Sequence, residues 1–166
     1  SDSLLQPVMI GITNALFTML GMLLIDRVGR KKLLIVGSIG MSICLGMLSK
    51  IFFLQHFGNY GVLIWLVIYI MFFAFSTGAV IWVLIAEIFP NNVRGQGQAL
   101  GSFTHWFFAA LITFLFPVIL ESGTYGGALT FTFYALMMVV QAIVVWKYFP
   151  ETKGKTLEQL GEELSK

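Results

Sequence analysis

The reading of this chain turns on STGAVIWVLIAEIFPNNVRGQGQAL, residues 76–100. It opens as an apolar run suited to a lipid bilayer, then carries Trp82, Glu87 five residues later and Arg94 seven beyond that. Charges are expensive at the centre of hydrocarbon and cheaper at its boundary, so Glu87 and Arg94 mark a rim where one span ends and the next begins. Pro90 lies between them; it lacks an amide donor and restricts the residue before it, so it ends the helix. Upstream, residues 61–89 form an apolar run of about 29 residues, which at ~1.5 Å per residue reaches about 43 Å. That exceeds a hydrocarbon core of about 30 Å, so this span must tilt, bend or emerge at its Glu87 end.

Working outward, the same apolar character recurs. The chain has 166 residues, 58% hydrophobic and 11% charged, with a mean hydropathy of +0.88. An ordinary soluble domain is about 25% charged, so this is a membrane protein. Five spans are expected, at about 4–25, 33–54, 61–89, 98–120 and 128–149. The runs are continuously apolar instead of alternating, which excludes a closed β-barrel. No basic region precedes the first apolar run, so no signal peptide is read there. Cys44 is the lone cysteine; with no partner it reads as a small buried hydrophobe, and no redox chemistry or disulfide is expected.

The basic residues are distributed unevenly. Arg27, Arg30, Lys31 and Lys32 follow the first span, Arg94 follows the third, and Lys147, Lys153, Lys155 and Lys166 lie at the end. The other two linkers, QHFGNYG and ESGTYGG, hold no Lys or Arg, and only Lys50 lies near that side, where it can snorkel. The basic side is therefore read as cytoplasmic, with the chain starting outside and ending inside. A multi-pass protein of the cell (plasma or inner) membrane follows, in contact with the lipid bilayer. No nucleic-acid partner is expected from a net charge of +2 placed this way. An odd number of spans with short linkers is read as a fragment of something larger.

Residues 1–149 form one transmembrane unit. Gly97 and Gly101, and on the second span Ser38, Ser42 and Gly46, are small residues that allow another helix to approach. Residues 150–166 form a tail in which Thr156 and Gln159 resemble a capping box. Leu157, Leu160 and Leu164 there share one face, so a short amphipathic helix on the cytoplasmic surface is expected.

Two sets of polar residues invite chemistry. At the rim, Asp26 and Arg30 are four apart, with Gly29 allowing a tight turn between helices. With Glu87 and Arg94 at the same depth, they either mark the interface or form an ion-pair latch tying helix ends together, in which Arg94 is the partner of Glu87. Near mid-membrane lie Asn14 on the first span, Trp82 on the third and His105 with Trp106 on the fourth. Asn14 reads as interhelical glue or as a ligand; His105 as a satisfied core histidine, a ligand or a proton carrier; the tryptophans as packing or as stacking surfaces. An amide, an imidazole and two indoles offer hydrogen-bond donors and acceptors beside aromatic planes. No span carries paired carboxylates, a metal-spaced His/Cys set or a nucleophile with a base, so an enzyme is not expected, nor any metal or cofactor.

DRVGRKK after one span, GAVIWVLIAEIFPNNVRGQ across a later inner boundary and FPETKGKTLEQL after the last resemble the signatures of the sugar porter family of the major facilitator superfamily. The resemblance covers helices eight to twelve of a twelve-helix protein. It implies an all-α integral membrane bundle of the major facilitator type, an incomplete C-terminal half with five transmembrane helices, whose partners are the N-terminal half and helix seven. It implies a monosaccharide, hexose or pentose, carried by alternating access, with Asn14, Gly78, Trp82, His105 and Trp106 lining the pocket. It also implies that Asp26, Gly29, Arg30, Glu87, Arg94 and Glu151 belong to an intracellular gate. Two departures stand out: His105 occupies a position where an amide is typical, and Ala79 and Ile81 replace prolines that usually flank this tryptophan. Bending of this helix then depends on Ser76, Thr77 and Gly78. A carboxylate for proton coupling belongs to the first helix of such a protein, outside this sequence, so symport and uniport both stand. A sugar receptor or assembly subunit that keeps the fold without moving its ligand is the competing reading.

Overall fold

A computed structural model describes residues 2–57, 60–90, 92–121 and 123–154; the expected tail helix lies outside the described residues. Among the described residues six helices follow one another: α1 (Asp2–Val28), α2 (Arg30–Leu54), α3 (Gly61–Phe75), α4 (Thr77–Glu87), α5 (Arg94–Leu120) and α6 (Gly126–Tyr148). With α3 and α4 taken as one interrupted rod, five helical segments among the described residues are long and apolar enough to cross a membrane.

The centre of the bundle is α2. Its buried residues, Leu33, Leu34, Gly37, Met41, Cys44, Leu45 and Leu48 among them, recur every three or four positions, which aligns them as one stripe. Packed against α2 are α6 along one flank and α3 with α4 along another, while α1 lies mainly against α3 and α5 spans from α4 to α6. Hydrocarbon supplies no hydrophobic drive between helices, so cohesion here comes from close packing and interhelical hydrogen bonds. Gly37 and Gly40 provide the close approach: a Cβ at Gly37 would overlap the Ser76 hydroxyl, and one at Gly40 the ring of Phe72. This corrects the expectation for Gly46, where an added Cβ meets nothing within 4 Å. Gly97 and Gly101 face Phe89 and Ile85, and so bring α5 onto the end of α4.

The long third span is broken at Ser76, whose backbone angles of φ −113 and ψ −99 end α3 and begin α4. The Ser76 amide bonds back to Phe73 O, and the amides of Ala79 and Val80 both turn to Ser76 O. Those of Thr77 and Gly78 take no backbone acceptor across the junction among the described residues. The Ser76 hydroxyl donates to Phe72 O, and a side-chain bond of this kind bends a helix. The break thus forms without proline, at the serine that Gly37 receives. On its other side Gly21 of α1 abuts the backbone of Phe75. Downstream, α4 ends at Glu87, three residues ahead of Pro90.

Between α1 and α2 stands one residue, Gly29, with φ 99 and ψ 153, a region open essentially to glycine alone. The reversal brings Ile25, Leu33 and Leu34 into one apolar cluster with Val80, Leu84 and Val145. This cluster underlies the basic end of the bundle, where residues of α1, α2, α4 and α6 meet.

Candidate functional site

Trp82 lies on the second turn of α4, four residues beyond Gly78 and on the same face. Across from it, α5 presents His105 and Trp106. The Trp82 ring centre is 5.1 Å from His105 and 6.2 Å from Trp106, and the two α5 rings are 5.5 Å apart. Their interplanar angles, 71° and 83° for the pairs with the imidazole, are edge-to-face contacts that aromatic quadrupoles favour. Trp82 is 40% and Trp106 63% exposed, and His105 is exposed too. None of the three hydrogen bonds to another described residue, so the indole N–H groups and the imidazole nitrogens remain available to a ligand. Asn14 is exposed on α1, two turns before Gly21 and on the same face; its amide likewise has no hydrogen bond among the described residues. The structure brings Trp82, His105 and Trp106 together, with Gly78 one turn away, and leaves Asn14 on a separate helix.

Thr77, in the first turn of α4, accepts a hydrogen bond from Gln141 Nε2 of α6 at 3.3 Å. Sequence reading passed over this pair. A glutamine in mid-span is the signal, since an amide in hydrocarbon requires a partner.

At the basic end the hub is Arg30. Its Nη2 and Nε bind the two carboxylate oxygens of Glu87 at 2.8 and 3.3 Å, and its Nη1 binds Asp26 at 2.9 Å and the Ile25 carbonyl at 3.3 Å. Glu87 also accepts the Thr152 hydroxyl at 2.7 Å. The Arg30 amide, the first of α2, donates to Glu151 Oε1 at 2.9 Å; a carboxylate there satisfies an orphan donor and faces the positive end of the helix dipole. Lys153 Nζ donates to the Arg27 carbonyl at 2.6 Å and closes the strap. Arg30 and Glu87 are 11% and 21% exposed at the side chain, Asp26 77%, so the fork onto Glu87 is the strong pair and the Asp26 contact the weak one.

Arg94 stands apart from this network. The sequence suggested it as the partner of Glu87, yet Arg30 and Thr152 take that carboxylate. The turn after Pro90 instead folds Arg94 back, so that its Nε donates to Phe89 O at 3.3 Å, and its Nη2 is buried with no partner among the described residues. Thr152 and Lys153 were missed because their contacts are made only when the tail folds over the α1–α2 turn.

Residues 1–164 match the family described as "Sugar (and other) transporter". The chain belongs to this sugar transporter family. The D-xylose-proton symporter of Escherichia coli (strain K12) is 37% identical over 162 residues, 95% of this chain and 33% of that protein. The glucose transport protein of Synechocystis sp. is 34% identical over 168 residues, 95% of this chain and 36% of that protein. Among solved structures, the proton:xylose symporter XylE bound to 6-bromo-6-deoxy-D-glucose superposes with a TM-score of 0.90 at 36% identity, covering 98% of this chain and 35% of that one. The inward open conformation of XylE from E. coli gives 0.88 at 37% identity, covering 98% and 36%. The chain spans about one third of the length of the sugar transporters it matches. It has their major facilitator fold and is a multi-pass membrane segment.

Proposed function

We propose that this chain is the C-terminal part of a sugar transporter that carries a monosaccharide across the membrane by alternating access, with further helices of the same carrier completing the pocket. The observation that carries this reading is the group of Trp82, His105 and Trp106, exposed on adjoining helices with its polar atoms unspent. Indole planes offer a pyranose its apolar face a surface to lie on, while imidazole and indole N–H groups meet its hydroxyls. Asn14 contributes an amide once the surrounding helices are in place. Xylose and glucose, named for the relatives, belong to this class of substrate.

In this reading the basic end is cytoplasmic, and the contacts of Arg30 with Asp26, Glu87 and Glu151 hold the inner ends of α1, α2 and α4 in one arrangement, with Gly29 as the turn that permits it. A few kcal/mol suffices to bias a two-state carrier. Arg94 joins the gate through a partner outside this chain. The test is uptake of labelled pentoses and hexoses by the full-length carrier in a transport-deficient cell, with Trp82→Ala beside it. Saturable binding without uptake would instead assign a sugar receptor, and unaltered uptake by the variant would remove Trp82 from the pocket.

A further inference from the structure

Away from both sites, α2 and α6 leave a furrow open along their seam. At the end of α2 remote from Arg30 it is lined by Gly46, Ser49, Lys50, Phe53, Leu129 and Thr132, with a volume of about 520 Å³. The seam continues past Ile39, Ile43, Val139 and Ile143. Its α2 members recur every three or four residues and so form one stripe.

The floor is apolar in effect although it contains hydroxyls. Ser49 Oγ donates to Ala128 O at 2.9 Å and meets Thr132 Oγ1 at 2.7 Å, and Ser42 Oγ donates to Ala135 O at 3.0 Å. With these hydroxyls spent on α6, the floor between Phe53 and Ile43 offers no free hydroxyl donor. Gly46 leaves room, since a Cβ there meets nothing within 4 Å. At the mouth the character changes. Lys50 is exposed, and no carboxylate among the described residues lies within ion-pair distance of it. Beside it Tyr125 stacks on Phe53 at 5.2 Å, an amphipathic ring of the kind that gathers at membrane interfaces. From Phe53 to Ile43 the helix rises about 15 Å, one leaflet's share of a hydrocarbon core of about 30 Å.

We propose that this furrow binds one anionic phospholipid, with its headgroup on Lys50 and an acyl chain laid along the α2–α6 seam. The inference is independent of sugar transport. A second copy of the chain would bury the Lys50 ammonium, which is costly unless a carboxylate reaches it, whereas a phospholipid leaves that ammonium at headgroup level. The test uses the intact protein containing this chain, in nanodiscs of phosphatidylcholine and phosphatidylglycerol, followed by extraction into mild detergent and native mass spectrometry. One phosphatidylglycerol should remain bound in preference to phosphatidylcholine, and Lys50→Gln should lower that preference about fivefold. Gly46→Leu, which fits the open space, should displace the lipid while leaving the unfolding temperature unchanged. Equal retention by wild type and Lys50→Gln overturns the proposal, as does retention indifferent to Gly46→Leu. Efficient disulfide dimerisation of Gly46→Cys would also overturn it, by giving the furrow to a second copy.

Discussion

Arg30 grips both carboxylate oxygens of Glu87 although the two residues are 57 positions apart in the chain. A planar fork matches a carboxylate in a way that a single ammonium cannot. Arg30→Lys should therefore lower the stability of the intact protein by about 1–3 kcal/mol despite keeping the charge. Asp26→Asn should cost less than about 1 kcal/mol, because that partner is exposed. Thermal unfolding in detergent compares them, and equal losses would contradict the ranking.

Gly29 supplies the only residue between α1 and α2. Gly29→Ala places a Cβ against the Glu151 carboxylate at a backbone angle that side chains avoid, for a loss of about 1–3 kcal/mol. Labelling of cysteines introduced at the basic end should rise in this variant as Glu151 leaves the start of α2. Unchanged labelling and melting would show that the turn tolerates a side chain.

Gly37 and Gly46 lie on the same helix with opposite surroundings. Gly37→Ala meets Ser76 and should cost about 1–3 kcal/mol through overpacking. Gly46→Ala should stay within about 0.5 kcal/mol of wild type. Melting temperatures of the two variants distinguish a tight seam from an open one.

Trp82 and Trp106 should each weaken sugar affinity when truncated to alanine, by about threefold to tenfold for a lost stacking contact. His105→Asn keeps a donor and an acceptor, so it should alter preference among sugars more than it lowers uptake. Competition by a panel of pentoses and hexoses against labelled substrate reads this out, and an unchanged ranking would place His105 outside the pocket.

Gln141→Leu removes the tie between α6 and Thr77. An interhelical hydrogen bond of this kind contributes about 0.6 kcal/mol on average in a membrane, with a maximum near 1.7. The expected result is a small loss of stability with a rise in KM, since Thr77 begins the helix that carries Trp82. A variant with unaltered KM would confine Gln141 to packing.

The fold class was legible because hydropathy needs only composition: an apolar run long enough to cross a membrane has few alternatives to a helix. The family was legible because its marks are local strings. Partnerships were less so. Arg94 stands seven residues from Glu87 and looked like its match, but Arg30 arrives from across the bundle and fills both oxygens first, a contact set by the α1–α2 reversal. Thr152 and Gln141 had no local signal beyond their polarity. Gly46 was read as a packing residue and Gly37 was not singled out, yet Gly37 is the one that meets a neighbour; which glycine on a helix does so depends on where the neighbouring rod runs, and spacing within one helix does not carry that.

That break has one further consequence. A kink imposed by proline is permanent, because the missing N–H can never rejoin the ladder. Here Thr77 and Gly78 keep their donors, so nothing covalent forbids a continuous ladder. What holds the serine joint open is external to it: the backbone of Gly21 against Phe75 on one side and Gly37 against the Ser76 hydroxyl on the other.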